Sequence, residues 1–416
     1  MSRVQFQDLL AEPVRNGVYK PKEFHGSGVR LVNMKELFAF DTLSDQPDSR
    51  IELTPTEWKK SELRDGDLLF ARRSFVLAGA GKCSIVVDPP EALTFESSMI
   101  RARPNPERAD SRFLFYYFKS PQGRARMASI AARTAVSGIT GGNLSALEIE
   151  VPAVDTQRRI AKVLKHFDDL IENNRRRVEV LEEVARAIYR EWFVKFRYPG
   201  RGDVPLVDSA IGPIPEGWEW GNVDDLVRIV KDTVDPSTLD PGIAAVGLEH
   251  IPRGQITLDA WGRAGDQGSR KAVFTKGDVL FGKIRPYFHK VSVAPIDGIS
   301  STDAIVIRPL EPHWGQVVML TSSVEFVAHA TQTSNGTKMP RADWKVLGQW
   351  PVAVPPERLS AAFTRMARDQ LGLAETLMFE NRRLTALRDL LLPKLVTGQI
   401  DVSALNLGTL VEGAVA

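Results

Sequence analysis

Gly66-Asp67-Leu68-Leu69-Phe70 returns 211 residues later as Gly277-Asp278-Val279-Leu280-Phe281, and this recurrence decides the fold. Downstream of the first copy lies Phe95-Glu96-Ser97-Ser98-Met99-Ile100-Arg101-Ala102-Arg103-Pro104. Downstream of the second lies Ser300-Ser301-Thr302-Asp303-Ala304-Ile305-Val306-Ile307-Arg308-Pro309. A Gly/Asn-rich turn follows in each, Ser137 to Leu144 and, more loosely, Ser334 to Met339. Both halves then reach a short strand ending in Val-Pro, at Val151-Pro152 and Val354-Pro355. Beyond each Val-Pro the apolar period changes from two to about 3.6 residues, the change from strand to helix. The same features in the same order twice over indicate one plan used twice.

Short β-type runs bounded by Gly, Pro, Asp and Ser are expected at Leu68 to Arg72, Ser84 to Val87, Val279 to Lys283 and Ala304 to Ile307. Helical stretches are expected at Asp110 to Ala132 and Gln316 to Ala330. Gln157 to Tyr198 contains neither Pro nor Gly. Ile160, Phe167, Leu181 and Ile188 fall on one seven-residue series, with Val163, Leu164, Leu170, Ile171, Val178, Val184 and Ala185 beside it. Asn174 takes the remaining place, where a polar residue fixes register at some expense of stability. Phe363, Leu377, Leu384 and Leu391 repeat the device with Met366, Leu373 and Leu387 alongside, interrupted by Gln370 and Glu380, and Pro393 and Gly398 are read as its end.

An apolar seam of that length does not stay exposed. The expected architecture is therefore α+β: two β-rich modules, each followed by a long helix, the two helices pairing as an antiparallel coiled coil with a pseudo-twofold internal repeat. The modules are placed at residues 1–153 and 199–355, the second beginning with a breaker-rich linker at 199–215. The helices are placed at 154–198 and 356–400, and a C-terminal tail at 401–416. Packing of each helix on its own module is the alternative. A helix of about 35–40 residues is roughly 50–60 Å long at 1.5 Å per residue, longer than the 34–36 Å of one turn of B-DNA.

Composition excludes several function classes. The net charge is +2, from 54 Lys+Arg against 52 Asp+Glu, so nucleic-acid binding has to rest on local patches. Cys83 is the only cysteine, which rules out an intrachain disulfide, and the six His are scattered without ligand spacing, so neither metal nor cofactor is expected. No apolar leader or membrane-length run is present, and a cytoplasmic protein without membrane or small-molecule partners is expected. Three motif fragments fail on inspection. Asp88-Pro89-Pro90 is followed by Glu91, where a base-gripping aromatic would be needed, and reads as a turn. Gly79-Ala80-Gly81-Lys82 has Val76 in place of the first phosphate-loop glycine and Cys83 in place of Ser/Thr. Gly26-Ser27-Gly28 lacks a third glycine. No nuclease carboxylate cluster is evident, so no catalytic residue is assigned.

The ordered set of motifs resembles the specificity subunit of type I restriction–modification systems over essentially the whole chain. Its carriers are the GDLLF/GDVLF pair, Gly277 to Tyr287, Gly141-Gly142-Asn143-Leu144 before Val151-Pro152, and Gln157-Arg158-Arg159-Ile160-Ala161. Gly212-Pro213-Ile214-Pro215-Glu216-Gly217-Trp218 and Leu391-Leu392-Pro393-Lys394-Leu395-Val396-Thr397-Gly398-Gln399-Ile400 carry it as well. The resemblance implies two target recognition domains, each reading one half of a bipartite asymmetric site on double-stranded DNA. It further implies helices that dock two methyltransferase subunits, joined by restriction–translocase subunits. The first module lacks the Pro-x-Gly-Trp opening, Ala71-Arg72-Arg73 stands where the second module has Gly282-Lys283-Ile284-Arg285, and the second helix lacks the Gln-Arg-Arg-Ile opening. Equivalence of single residues between modules is therefore open.

Base edges are read by bidentate Arg, Lys, Asn and Gln, and phosphates are held by Lys, Arg, Ser, Thr and backbone amides. Candidate DNA-binding residues in the first module are Arg72, Arg73, Lys82, Arg133, Thr134, Ser137, Thr140 and Asn143. In the second they are Lys283, Arg285, Tyr287, His289, Lys290, Thr333, Ser334, Asn335, Thr337, Lys338 and Arg341. Arg175-Arg176-Arg177 are candidates for the phosphates of the unread spacer, or for the solvated face of a coiled coil. The resulting expectation is a non-catalytic recognition subunit that positions partner enzymes. A coiled-coil protein-interaction scaffold and the recognition subunit of a related methyltransferase–nuclease system are the alternatives.

Overall fold

The computed structural model describes residues 1–74, 79–131, 137–336 and 338–402, residue 137 through its backbone only. Arg133, Thr134, Thr337 and the tail beyond 402 lie outside the described residues. The chain divides into two compact units, residues 1–169 with 384–416, and residues 170–383.

The repeated pentapeptide builds the same corner in each unit. Gly66 and Gly277 both have positive φ, +83° and +90°, a region that glycine enters without the steric penalty of a Cβ. The next two backbone bonds are duplicated: Gly66 N–H donates to the Val86 carbonyl and Gly277 N–H to the Ala294 carbonyl. In return, Val86 N–H donates to Asp67 and Ala294 N–H to Asp278, all four at 2.9 Å. Asp67 and Asp278 are buried, and burial of a carboxylate demands compensation. It comes from the arginine of the downstream Arg-Pro pair. Arg103 Nε and Nη2 donate to the two oxygens of Asp67 at 2.8 Å, and Arg308 makes the same two bonds to Asp278 at 2.8 and 2.7 Å.

In the first unit a five-stranded sheet runs in the order Leu10–Asn16, Met99–Pro104, Leu68–Ala71, Cys83–Val86, Thr42–Leu43. Its inner face carries Phe70, which meets Phe6 and Phe118 edge-on at centroid distances of 6.0 and 5.0 Å. The helices Ser111–Lys119 and Pro121–Ile130 cover that face, and Ser120, which caps the second of them, divides what the sequence presents as one helix over 110–132. Ile149, Val151, Ile160, Leu164, Leu392, Leu395 and Val396 complete the core. At its edge Asp168 accepts from Tyr116 Oη and pairs with Arg388, both at 2.6 Å.

The second unit repeats the layout. Val227–Val230, Ala304–Pro309, Val279–Gly282 and Val291–Val293 form a sheet in the corresponding order. Phe281, the counterpart of Phe70, packs edge-on against Phe326 at 5.9 Å. The helices Trp314–Thr321 and Val324–Gln332 replace the single stretch expected at 316–330. The breaker-rich 199–215 segment is not plain linker: Leu206–Val207 pairs with Ile214–Pro215, and Ile214 and Trp218 join the core.

The long helices span Val154–Tyr189, with a π-helical turn Arg190–Val194 after it, and Glu357–Val396. Pro393 does not end the second: it removes one N–H in the last turn, the helix runs on to Val396, and Gly398 at φ +72° terminates it. Within the second unit the two helices run in opposite directions. Asn381 Nδ2 donates to the Ile171 carbonyl at 3.1 Å, Asn174 Nδ2 to Glu380 at 3.2 Å, and Phe363 lies against Tyr189 and Phe193. Three seam assignments fail: Val184, Leu373 and Leu387 are 40–49% exposed. The buried set Phe363, Ala367, Leu371, Ala374, Met378 steps by three and four residues, and two of its members are alanines, which a tally of large apolar residues overlooks.

Candidate nucleic-acid interface

In the second module the strand Val279–Gly282 ends where the predicted loop begins. The 283–290 and 333–343 segments meet there: Ala342 N–H donates to the Lys283 carbonyl at 2.9 Å and Arg285 N–H to the Pro340 carbonyl at 2.8 Å. Ile284 bridges Arg341, and Asn335 exchanges both backbone bonds with Arg341. Arg285 and His289 are both left-handed, with φ of 49° and 51°, flanking the single turn Pro286–Phe288. Proline disfavours the right-handed helical conformation for the residue before it, and a left-handed non-glycine residue costs about 1–2 kcal/mol. Local bonds hold it nonetheless: His289 N–H to Pro286 at 2.7 Å and Phe288 N–H to Arg285 at 2.9 Å. Conformational strain of this kind concentrates where a side chain has to be aimed.

The polar groups of this region divide by what they touch. Lys290 Nζ donates to the Leu248 carbonyl, and burial holds its pKa below the usual lysine value. His289 Nε2 lies 2.9 Å from the Ser322 carbonyl, Thr333 Oγ1 donates to His329 at 2.8 Å and Ser334 Oγ to Ala330 at 2.6 Å. These four serve the fold. Arg341 stands 3.7 Å from Asp303. Arg285 Nη2 reaches the Lys338 carbonyl only at 3.5 Å, and its Nε is buried without a partner. Among the described residues the ammonium groups of Lys283 and Lys338 make no ion pair, and the Tyr287 ring is half exposed, edge-on to Phe288 at 4.8 Å. A groove of about 480 Å³ beside them is lined by Lys231, Lys283, Asn335, Arg341, Asp343 and Trp344. Lys231 and Trp344 escaped the sequence search because neither belongs to the repeated motifs.

The first module brings together the corresponding segments. Arg73–Ser74 pairs with Ser137–Gly138, and Ile139 N–H donates to the Arg72 carbonyl at 2.9 Å. The Arg73 to Gly138 pair stands 211 residues before Ile284 on one strand, so the two loops meet at the same register in both modules. Arg73 is exposed and Arg72 half-buried, and neither guanidinium has a carboxylate partner among the described residues. Lys82 instead donates to the Phe38 carbonyl at 2.5 Å, and burial lowers its pKa. Thr140 caps the helix Gly141–Ser145 and Asn143 reaches the Ile130 carbonyl at 3.5 Å. Arg175, Arg176 and Arg177 are all exposed on the first long helix, Arg176 paired with Glu172 at 3.1 Å. No group of three His, Cys, Asp or Glu is arranged to hold a metal among the described residues, and no described helix is long and apolar enough to cross a membrane.

Comparison with known proteins places this geometry. The type I restriction modification DNA specificity domain matches residues 44–183. The specificity subunit of the type I restriction enzyme MjaIX from Methanocaldococcus jannaschii is 22% identical over 402 residues, 93% of this chain and 90% of that one. The EcoKI specificity subunit of Escherichia coli K12 is 27% identical over 175 residues, 40% of this chain and 37% of its own. The crystal structure of the S subunit of a type I restriction–modification system from M. genitalium shares the fold, with a TM-score of 0.55 at 13% identity over 95% of this chain and 96% of that one. The chain is thus similar in sequence to type I restriction–modification specificity subunits along most of its length, and shares its fold with a solved S subunit.

Proposed function

We propose that this chain is the non-catalytic subunit that reads a bipartite asymmetric sequence on double-stranded DNA and presents it to partner enzymes. Modules 1–153 and 199–355 act as the two target recognition domains. The observation that carries this is the repeated pairing of two loops at one register, each presenting arginine or lysine without an internal acid. Arg72 and Arg73 in one module, and Lys283, Arg285 and Lys338 in the other, supply the donors for guanine edges and phosphates. The side chains differ between modules, so the two halves of the site differ.

The partners in this proposal are two methyltransferase subunits and restriction–translocase subunits in the cytoplasm. The long helices pair as an antiparallel coiled coil that docks the methyltransferases, and Arg175, Arg176 and Arg177 follow the phosphates of the unread spacer. Support comes from the relatives' identity as specificity subunits and from the exposed arginines. Replacing residues 209–355 with the same region of a relative is expected to change one half of the methylated sequence, read by genome-wide methylation mapping. A change in both halves, or in neither, overturns the proposal.

A further inference from the structure

Glu182 lies near the C-terminal end of the first long helix, beside exposed Glu179, Val180, Glu183 and Val184, yet is only 1% exposed. A carboxylate removed from water needs partners on each oxygen. Glu182 Oε1 accepts the Thr257 N–H at 2.7 Å, and Oε2 accepts the Ile256 N–H at 2.9 Å and Arg186 Nη2 at 3.0 Å. Arg186 also donates to the Gly254 carbonyl at 2.8 Å. One helical turn thus grips the 254–257 segment at three backbone groups.

That segment leads directly to the recognition loop. Gly254 N–H donates to the carbonyl of left-handed His289 at 2.8 Å, and the Arg253 guanidinium lies 4.2 Å from the centre of the Phe288 ring. Arg253 bridges Lys290, Ser292 Oγ donates to Gln255 at 3.1 Å, and Val293 N–H donates to Ile256 at 2.9 Å. We propose that Glu182 is a positioning residue for sequence reading by the second module: through 254–257 it fixes the 285–289 loop from which Arg285 and Tyr287 project. This rests on that module reading DNA.

Two features favour a positioning role over bulk stabilisation. An apolar side chain would fill the same place without the desolvation of a charge, whereas two amide bonds to one carboxylate fix direction as well as contact. Among the described residues the second long helix carries no carboxylate at the equivalent position. The long helices begin 203 residues apart, which puts Thr385 at the position of Glu182, and the Thr385 side chain makes no hydrogen bond among the described residues. Loss of Glu182 therefore acts on one half-site.

The test uses the full chain in its methyltransferase complex, the second half-site being identified by the 209–355 exchange. Discrimination against single-base changes is measured by competition with duplexes altered in one half or the other. Glu182→Ala is expected to lower discrimination in the second half about tenfold and in the first less than about twofold, because reading donors tolerate only fractions of an ångström. Glu182→Gln keeps one acceptor and is expected to fall between Ala and the parent. Hydrogen exchange at the Ile256 and Thr257 amides should accelerate in Glu182→Ala. Equal loss in both halves, unchanged discrimination, or unchanged exchange overturns the inference. Should Glu182→Ala fail to fold, Arg186→Ala asks the same question through the Gly254 carbonyl: a smaller loss confined to the second half supports it, and no loss overturns it. A parent complex without a bipartite site would instead overturn the underlying proposal of DNA reading.

Discussion

Asp67 and Asp278 show why a short motif recurs when most of the surrounding sequence does not: each is the buried acceptor of a bidentate arginine that ties two adjacent strands. Removing the aspartate strips each arginine of its bidentate acceptor, leaving Arg103 with Glu12 at 2.8 Å and the Glu62 carbonyl at 3.1 Å, and Arg308 with Thr275 Oγ1 at 2.8 Å. Asp67→Ala is expected to lower unfolding free energy by about 3 kcal/mol, since the Arg103 side chain is only 15% exposed. Asp278→Ala is expected to cost about 1–2 kcal/mol, because Arg308 is 37% exposed and water replaces part of the bond. Urea titration of both variants checks the order. His313 gives a pH effect. Burial, opposed by Glu357, Gln316 and Glu311, holds its pKa below the ordinary 6.5. The folded state therefore binds this proton less readily than the unfolded chain, and its contribution is full above pH 6.5 and lost as pH falls through the lower folded-state value. The urea midpoint should fall between pH 7.5 and 5.5 by more in the parent than in His313→Gln. The recognition residues were only partly legible for a related reason. Composition marks Lys82 and Lys290 as donors, but that they face carbonyls 44 and 42 residues away is settled by tertiary packing, while Thr140 and Ser334 are taken up by local bonds three and four residues along the chain.

The strands and long helices were the legible part, because Gly-Asp corners and a sustained apolar period are local signals. Their interruptions were not. Ser120 ends one helix by capping the next with Pro121 behind it, a break that the continuous apolar pattern over 110–132 conceals, and Pro393 is accommodated in a last turn. Glu182 escaped because its partners are remote in sequence: a charged residue on a helix reads as solvated until the 254–257 segment is brought to it. Gly372 is the clearest helical weakness. It is exposed, and a Cβ there meets no atom within 4 Å. Gly372→Ala should therefore stabilise the chain by about 1 kcal/mol through helix propensity alone, measured as an increase in urea midpoint at unchanged slope. A loss of stability would show that the open space beside Lys276, Glu375 and Thr376 is needed by the native packing.

Each unit has its own hydrophobic core, one around Phe6, Phe70 and Phe118 and the other around Phe281, Phe326 and Phe363. Free energies of changes in separate cores with no shared partners add to within about 0.5 kcal/mol. Reading by two such units should then be additive, which a single continuous recognition surface would not be. Arg73→Ala and Arg285→Ala provide the test, since neither guanidinium holds a carboxylate. Each is expected to weaken specific binding of the assembled complex by about 1–3 kcal/mol, the range for one base-reading arginine. Arg73→Ala should act through the half of the site that survives exchange of residues 209–355, and Arg285→Ala through the half that changes. The double variant should equal the sum of the singles, and random duplexes should lose far less affinity because the remaining phosphate contacts persist. A coupling above about 1 kcal/mol, or equal losses on specific and random DNA, would mean that the two modules do not read independently.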